Sequence, residues 1–389
     1  MPVTNLMHDL SHYLRLAKRK VVYPRLGRGI DFSGPEYRDS VAPIIARLHP
    51  KRMSLKLDKI IDETGSVKTY RFVRTDGEPP PFRAGQYVNL FVEIDGTKTS
   101  RPYSIASAPR CGYIDLTVQV KDGGFVSGCL HQNLVVGDEL VSTGPVGHFY
   151  YEPLIDGEEL VFLGGGSGIT PLMSMIRQQE KVGWPLKIQL LYGSRLPTEV
   201  IFGDELKKLA KSNDRFKYNL VVSEPPKGYK GLKGLLDAKV IKKQIGSIEG
   251  KTFFICGPLQ MYDLVVSELA KLGVPQHKIR RELYGPPADI TKESGWPAKV
   301  KANARFKVEV EGRETIEVSA TEPLINSLER HHMVVPAVCR SGECSKCRVR
   351  VLSGEVFMPA NAGVREADRT YGYVHACVSY PVSNIKIRI

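Results

Sequence analysis

Three cysteines fall within the nine residues CRSGECSKC, positions 339–347, spaced C-x4-C-x2-C, and Cys377 follows after 29 intervening residues. This pattern limits the possible folds more than any other in the chain, because one loop and a distant second element must bring four thiols together. Cys339, Cys344, Cys347 and Cys377 have the ligand spacing of a plant-type [2Fe-2S] cluster. The short spacings let three thiolates converge on an inorganic core, and the distant fourth closes the cage. Gly342 relaxes the loop so that amide N–H groups can turn toward the sulfurs. A structural zinc site competes with this reading, but such sites usually pair two CxxC-like hooks and only one is present. With four cysteines filling the ligand set, His375 is expected as a surface or packing histidine. His331 and His332 are placed on a helix, without metal partners.

Seven cysteines in 389 residues, odd in number and unevenly spaced, argue against a disulfide framework. The opening segment MPVTNLMHDLSHYLRLAKRK mixes polar and charged residues throughout and lacks the apolar core of a secretory signal. No stretch has the ~18 apolar residues of a membrane span. A cytoplasmic, reducing location is therefore expected, with no membrane span. The net charge of +13 raises nucleic acid or an anionic membrane surface as partners. Residues 1–52 carry ten Lys or Arg against four acids, so much of the excess lies in one segment. No nucleic-acid motif accompanies it, and no nucleic-acid partner is expected.

At about 150 residues per domain the length suggests two or three domains. Residues 1–52 read as a basic N-terminal arm, with a short amphipathic helix over 6–17 and an extended stretch from Tyr23 to Pro50. Residues 53–155 alternate in short strands broken by turns, which predicts an antiparallel β-barrel. Over 156–285 the apolar runs LVFL, KIQLLY, YNLVV and TFFIC alternate with helical stretches, the rhythm of an α/β domain with a parallel sheet. Residues 286–302, rich in Gly, Pro and charge, read as a linker. Residues 303–389 combine a hairpin turning near Gly312, a helix capped by Thr321 and a closing strand, an α+β unit.

LGGGSGITP, residues 163–171, follows an apolar strand and opens a helix. Glycines there let backbone approach a pyrophosphate, and the helix N-terminus offers unpaired N–H groups. The spacing is not G-x-G-x-x-G, and alone the run could mark only a tight turn. ICGP, with Cys256, Gly257 and Pro258, ends a later strand of the same sheet, so the two segments could face one crevice. Cys256 also reads as a small buried apolar residue. In the barrel, SRPYSIAS (100–107) offers an Arg, a Tyr and a Ser suited to clamp a phosphate, stack on a ring and donate a hydroxyl. GGFVSGCL (123–130) adds glycines and Ser127. By themselves both are ordinary strand and turn residues.

Together, a barrel with RxYS, a nucleotide domain with GGGSGITP and CGP, and a C-terminal C-x4-C-x2-C unit resemble the ferredoxin reductase-like electron-transfer proteins. The resemblance covers residues 53–389, and the arrangement is similar to that of phthalate dioxygenase reductase and phenylacetyl-CoA epoxidase reductase. It implies a β-grasp ferredoxin fold for the last unit and a role for Arg101, Tyr103, Ser104, Gly124 and Ser127 in flavin binding. It further implies that Gly165, Gly166, Gly168, Ile169, Thr170, Cys256, Gly257 and Pro258 line a nicotinamide dinucleotide site. Ser104, Cys256 and Glu282 are the implied catalytic residues. GPVGHF, residues 144–149, resembles a segment of the FAD-containing members, which implies FAD rather than FMN. Glu224, after the third strand, would repel a 2′-phosphate and favours NADH, while Arg195 and Lys227 leave NADPH open. The expected activity is NADH-dependent electron transfer through FAD and the [2Fe-2S] cluster to a protein acceptor such as an oxygenase or hydroxylase. The alternatives are an electron-input subunit docked through the N-terminal arm, and a redox-sensing or assembly protein. Twelve basic and ten acidic side chains in 303–389 fit a tethered domain with little need of charge steering.

Overall fold

Inward apolar and outward polar residues alternate along β1 (Met53–Thr64), where Met53, Leu55 and Leu57 are buried and Lys56 and Asp58 exposed. The computed structural model describes residues 35–389 apart from 122, 288 and 361. These residues belong to two units, Met1–Lys51 and Arg52–Ile389. In the first unit, Pro35–Leu48 forms a helix, α1, where the sequence reading has an extended arm. The helix formers from Ala42 to Leu48 outweigh Pro43 within it. The helix expected over residues 6–17 lies outside the described residues.

In the second unit β1 joins β2 (Val67–Arg74), β3 (Tyr87–Ile94), β4 (Thr97–Ser104), β5 (Ile114–Gln119) and β6 (Glu139–Ser142) in an antiparallel sheet ordered β4-β3-β6-β1-β2-β5. A bridge between Ile105 and Leu116 brings the two edges together, so the sheet curls closed around Tyr70, Phe72, Leu90 and Ile114. Residues read as strand and turn at 125–130 form instead the start of helix α2 (Phe125–Asn133). Burial of Val126 and Leu130, with the Tyr70 hydroxyl donating to Leu130 O at 3.1 Å, stabilises a helix that local propensity does not favour.

The strands β7 (Glu159–Gly165), β8 (Lys187–Ser194), β9 (Phe216–Val222), β10 (Leu232–Lys233), β11 (Thr252–Cys256) and β12 (Ile279–Glu282) form a parallel sheet ordered β10-β9-β8-β7-β11-β12. Helices α3 (Ile169–Lys181), α4 (Gly203–Ser212), α5 (Ala238–Ile245) and α6 (Leu259–Lys271) cover it. Both faces are packed, and for that reason β7 from Leu160 and β11 from Phe253 are continuously apolar rather than alternating. Strand order reverses between β7 and β11, which opens a crevice beyond their carboxyl ends.

The last part has a mixed sheet of β13 (Arg305–Val310), β14 (Thr315–Ser319), β15 (Arg348–Ser353), β17 (Tyr373–His375) and β19 (Ile385–Arg388), ordered β14-β13-β19-β15-β17. β16 (Val356–Phe357) pairs separately with β18 (Tyr380–Pro381). Helix α7 (Leu324–Arg330) packs Leu324, Ile325 and Leu328 on the core. Its N-cap is Pro323, not Thr321, whose hydroxyl donates to Ala302 O. His331 caps the other end and His332 follows at φ 56°, so neither lies within the helix. In the segment read as a linker, Ile290 and Val300 are buried, Val300 against Ala320 and Val382, and Trp296 meets Phe357 edge-on at 5.3 Å.

Polar contacts join the three parts. Arg177 donates to Ala106 O at 2.9 Å and pairs with Glu205 at 2.6 Å, and the Ser174 hydroxyl donates to Ser107 O at 2.7 Å. Asn89 donates from the barrel to Ala337 O at 2.8 Å, and the Thr99 hydroxyl donates to Glu329 at 2.8 Å. Among the described residues, no helix is long and apolar enough to cross a membrane.

Candidate cofactor sites

The glycine run and the CGP segment meet at the reversal of strand order. Cys256 lies in register with Gly164 on one side and Glu282 on the other. The backbones are so close that a Cβ added to Gly168 would stand 2.1 Å from Cys256 O. Gly166 serves differently, at φ 50° with no atom nearer to such a Cβ than Gln119 Oε1 at 3.7 Å. Together they turn the chain from β7 through a 3-10 turn (Gly166–Gly168) into α3, and the positive end of this helical run suits an anionic pyrophosphate. Ile169 and Thr170 are buried at this helix start, where the Thr170 hydroxyl donates to Ser167 O at 2.7 Å.

Beside the crevice is a cavity of ≈ 330 Å³, a volume typical of small-molecule sites. Arg101, Tyr103, Ser104, Gly124 and Ser127 line it from the barrel, and Thr170 from the nucleotide-binding part. Six of the residues singled out in the sequence thus share one wall. Arg101 donates to the Thr99 hydroxyl and to Ser100 O, each at 2.8 Å. Burial, reinforced by the neighbouring Arg340, pushes the Arg101 guanidinium down to about 10, so it is still charged at neutral pH. A half-buried cation in a cavity whose lining includes Arg340 and Lys121 but no carboxylate is suited to a phosphate. This charge balance fits the phosphate-bearing flavin that the family resemblance implies.

Cys377, from the far end of the chain, lines the same cavity. The thiol of Cys339 lies within hydrogen-bond reach of those of Cys344 and Cys377, and that of Cys347 within reach of Cys377. No group of three or more His, Cys, Asp or Glu among the described residues is gathered as ligands of a single metal ion would be. A [2Fe-2S] core takes its four thiolates over two irons rather than one. The amides of Ser341 and Cys344 donate to Cys339 Sγ at 3.5 and 3.3 Å, an arrangement that stabilises a thiolate. Gly342 has φ 85°, and its carbonyl lies 2.6 Å from Nδ1 of His375. His375 is fully buried, so of its two expected places, surface or packing, it takes the second.

Other sequence-singled residues lie outside this cavity. Cys256 is completely buried and hydrogen-bonded to the Tyr284 hydroxyl, and burial pushes its thiol well above the usual range. Gly257 lines a small adjoining cleft with Tyr284, Ser341 and Val378. Glu282 faces the cluster loop. Burial first, then Glu343 and Cys339, push its carboxyl up to about 8. Tyr284 was not singled out by the sequence, yet it lines the cavity with its hydroxyl 2.8 Å from Ser104 Oγ. Asn326 and Arg340 likewise line it from the last part of the chain. Tyr284 lies two residues after Glu282 and Arg340 directly follows Cys339, but no motif reached Asn326.

Family models place an oxidoreductase FAD-binding domain at residues 54–151, an oxidoreductase NAD-binding domain at 162–267 and a 2Fe-2S iron-sulfur cluster binding domain at 308–382. The glycine betaine monooxygenase reductase subunit of Chromohalobacter salexigens is 31% identical over 352 residues, spanning 86% of this chain and 95% of that one. The ferredoxin reductase component of Mycobacterium tuberculosis 3-ketosteroid-9-alpha-monooxygenase is 30% identical over 354 residues, spanning 85% and 94%. The fold of phthalate dioxygenase reductase superposes with a TM-score of 0.65 at 20% identity, over 87% of this chain and 98% of that one. The chain belongs to the ferredoxin reductase-like NAD(P)H oxidoreductases that join FAD-binding and NAD-binding domains to a C-terminal plant-type [2Fe-2S] domain.

Proposed function

We propose that this protein takes electrons from NADH and passes them, through FAD and the [2Fe-2S] cluster, to the terminal component of an oxygenase in the cytoplasm. The observation that carries this reading is the shared cavity, which Arg101, Tyr103 and Ser104 enter from the barrel and the cluster cysteine Cys377 from the last domain. When bound, the cofactors supply the conversion between two-electron and one-electron chemistry. The chain's part would be to hold them side by side, since residues from all three parts line one cavity. Arg101 anchors the flavin phosphate, Tyr103 offers its ring face, and Ser104 presents a hydroxyl already ordered by Tyr284. Gly124 and Ser127, at the start of α2, are suited to a pyrophosphate. Cys339, Cys344, Cys347 and Cys377 hold the cluster. Gly165 to Thr170 with Cys256 to Pro258 form the nicotinamide dinucleotide site, in which Cys256 stays a neutral thiol.

Electrostatics at the outer strands favour NADH. Arg195, the guanidinium nearest the end of β8, pairs with Glu199 at 2.6 Å and lies 4.0 Å from Glu224. Two carboxylates thus flank the cation that a 2′-phosphate would need. Both of these similar reductases are components of monooxygenases, and that shared setting supports an oxygenase as acceptor. Anaerobic stopped-flow mixing with each nucleotide is the test. NADH should bleach first the flavin and then the cluster absorption, much faster than NADPH does. A preference for NADPH, or a cluster that stays oxidised, would overturn the reading.

A further inference from the structure

Arg340 follows a cluster cysteine, yet its side chain is turned away into the cavity beside Arg101. It is only 5% exposed. One Nη donates to the Thr99 hydroxyl at 3.2 Å and to Glu329. Thr99 also accepts from Arg101 and donates to Glu329. The buried Arg340, the half-buried Arg101 and one buried carboxylate therefore meet around a single hydroxyl, which leaves the group one positive charge in excess. Among the described residues nothing accepts from Arg340 Nε, although that atom is fully buried. A buried charged donor without a partner is costly, so its persistence beside a cavity points to an anionic ligand there. The planar guanidinium is also the side chain best shaped for a phosphate.

We propose that Arg340 is a binding residue for the flavin phosphate, so that the [2Fe-2S] domain itself completes the flavin site. This rests on the reading of the cavity as the flavin site and assigns one of its ligands to a different domain. Glu329 is the positioning residue. It holds Arg340 and Thr99 together and keeps the two guanidiniums from repelling each other. Docking of the last domain and retention of the flavin are then linked, since each stabilises the other.

The test uses full-length, cluster-loaded protein stripped of flavin and titrated with FAD or with riboflavin, which lacks the phosphate, following flavin fluorescence. Arg340→Gln should weaken FAD binding by about 10- to 100-fold and leave riboflavin binding within about 2-fold. The visible circular dichroism of the cluster should be unchanged. The double variant Glu329→Gln/Arg340→Gln, which strands no buried charge, should show the same selective loss, and Arg340→Lys should restore part of it. Equal losses for FAD and riboflavin would reduce Arg340 to a domain clamp and overturn the proposal. So would an effect confined to NADH binding. Arg101→Gln separates the two levels of the argument. If it weakens FAD while Arg340→Gln does not, only the proposal fails; if neither variant does, the flavin reading fails with it.

Discussion

Replacing Gly168 by Ala tests whether the two nucleotide-binding segments really touch. Gly168 has φ −63° and ψ −11°, an ordinary helical conformation that Ala adopts freely, so backbone strain plays no part. The obstacle is space. The new Cβ would lie 2.1 Å from Cys256 O, 2.3 Å from Cys256 C and 2.5 Å from Gly257 N, all backbone atoms. Relief to an ordinary contact of ~3.5 Å requires the start of α3 and the CGP turn to separate by more than 1 Å. Overpacking of this kind costs about 1–3 kcal/mol in stability, and a misplacement of ~1 Å can cost about 100-fold in rate. Gly183→Ala, outside the nucleotide site, is the control. It meets nothing within 4 Å but must hold φ near 80°, which costs about 1–2 kcal/mol without moving the CGP turn. Kinetics of flavin reduction at varied NADH, with flavin content and melting temperature measured in parallel, separate the two. Gly168→Ala should raise KM for NADH and slow flavin reduction at full flavin occupancy, whereas Gly183→Ala should mainly lower Tm. A Gly168→Ala protein with unchanged NADH kinetics would refute the close approach.

Three other outcomes follow from the geometry. Glu224→Lys should shift the ratio of kcat/KM for NADPH over NADH upward by about tenfold or more, since it removes a carboxylate from Arg195 and adds a cation; steady-state rates with both nucleotides check this. Glu282, raised to about 8, keeps its proton in the folded state while the unfolded chain loses it near its ordinary value of 4.5. Its contribution to stability should be full below about pH 4.5 and fall as pH rises toward 8, by up to ~1.4 kcal/mol per pH unit. Glu282→Gln should flatten that fall in denaturant titrations at stepped pH. Cys377→Ala should abolish the cluster's visible absorption and electron delivery to one-electron acceptors, with NADH-driven reduction of the flavin retained.

Each domain was legible where local pattern and packing agree. The buried runs around Val161 and Phe254 declare a doubly covered sheet, the alternation in Arg305–Ser319 declares a hairpin, and the cysteine spacing declares the cluster. Local signals failed where tertiary burial decides. Gly124 and Gly128 disguise α2, which is held by Val126 and Leu130, and Thr321 looks like a cap but spends its hydroxyl on Ala302. No pattern within a short window could join Thr99 to Glu329, 230 residues apart, or Ser104 to Tyr284, 180 apart. The parts of the site built by one segment were readable; those shared between domains were not.

The wall that Arg340 and Cys377 add to the cavity also sets an order of events in synthesis. Arg340 emerges from the ribosome 241 residues after Thr99, by which time the barrel and the parallel sheet have both been translated. Until then the pocket has an open side. A flavin that arrives early meets an incomplete grip, so the fully enclosed holoprotein is a product of the finished chain.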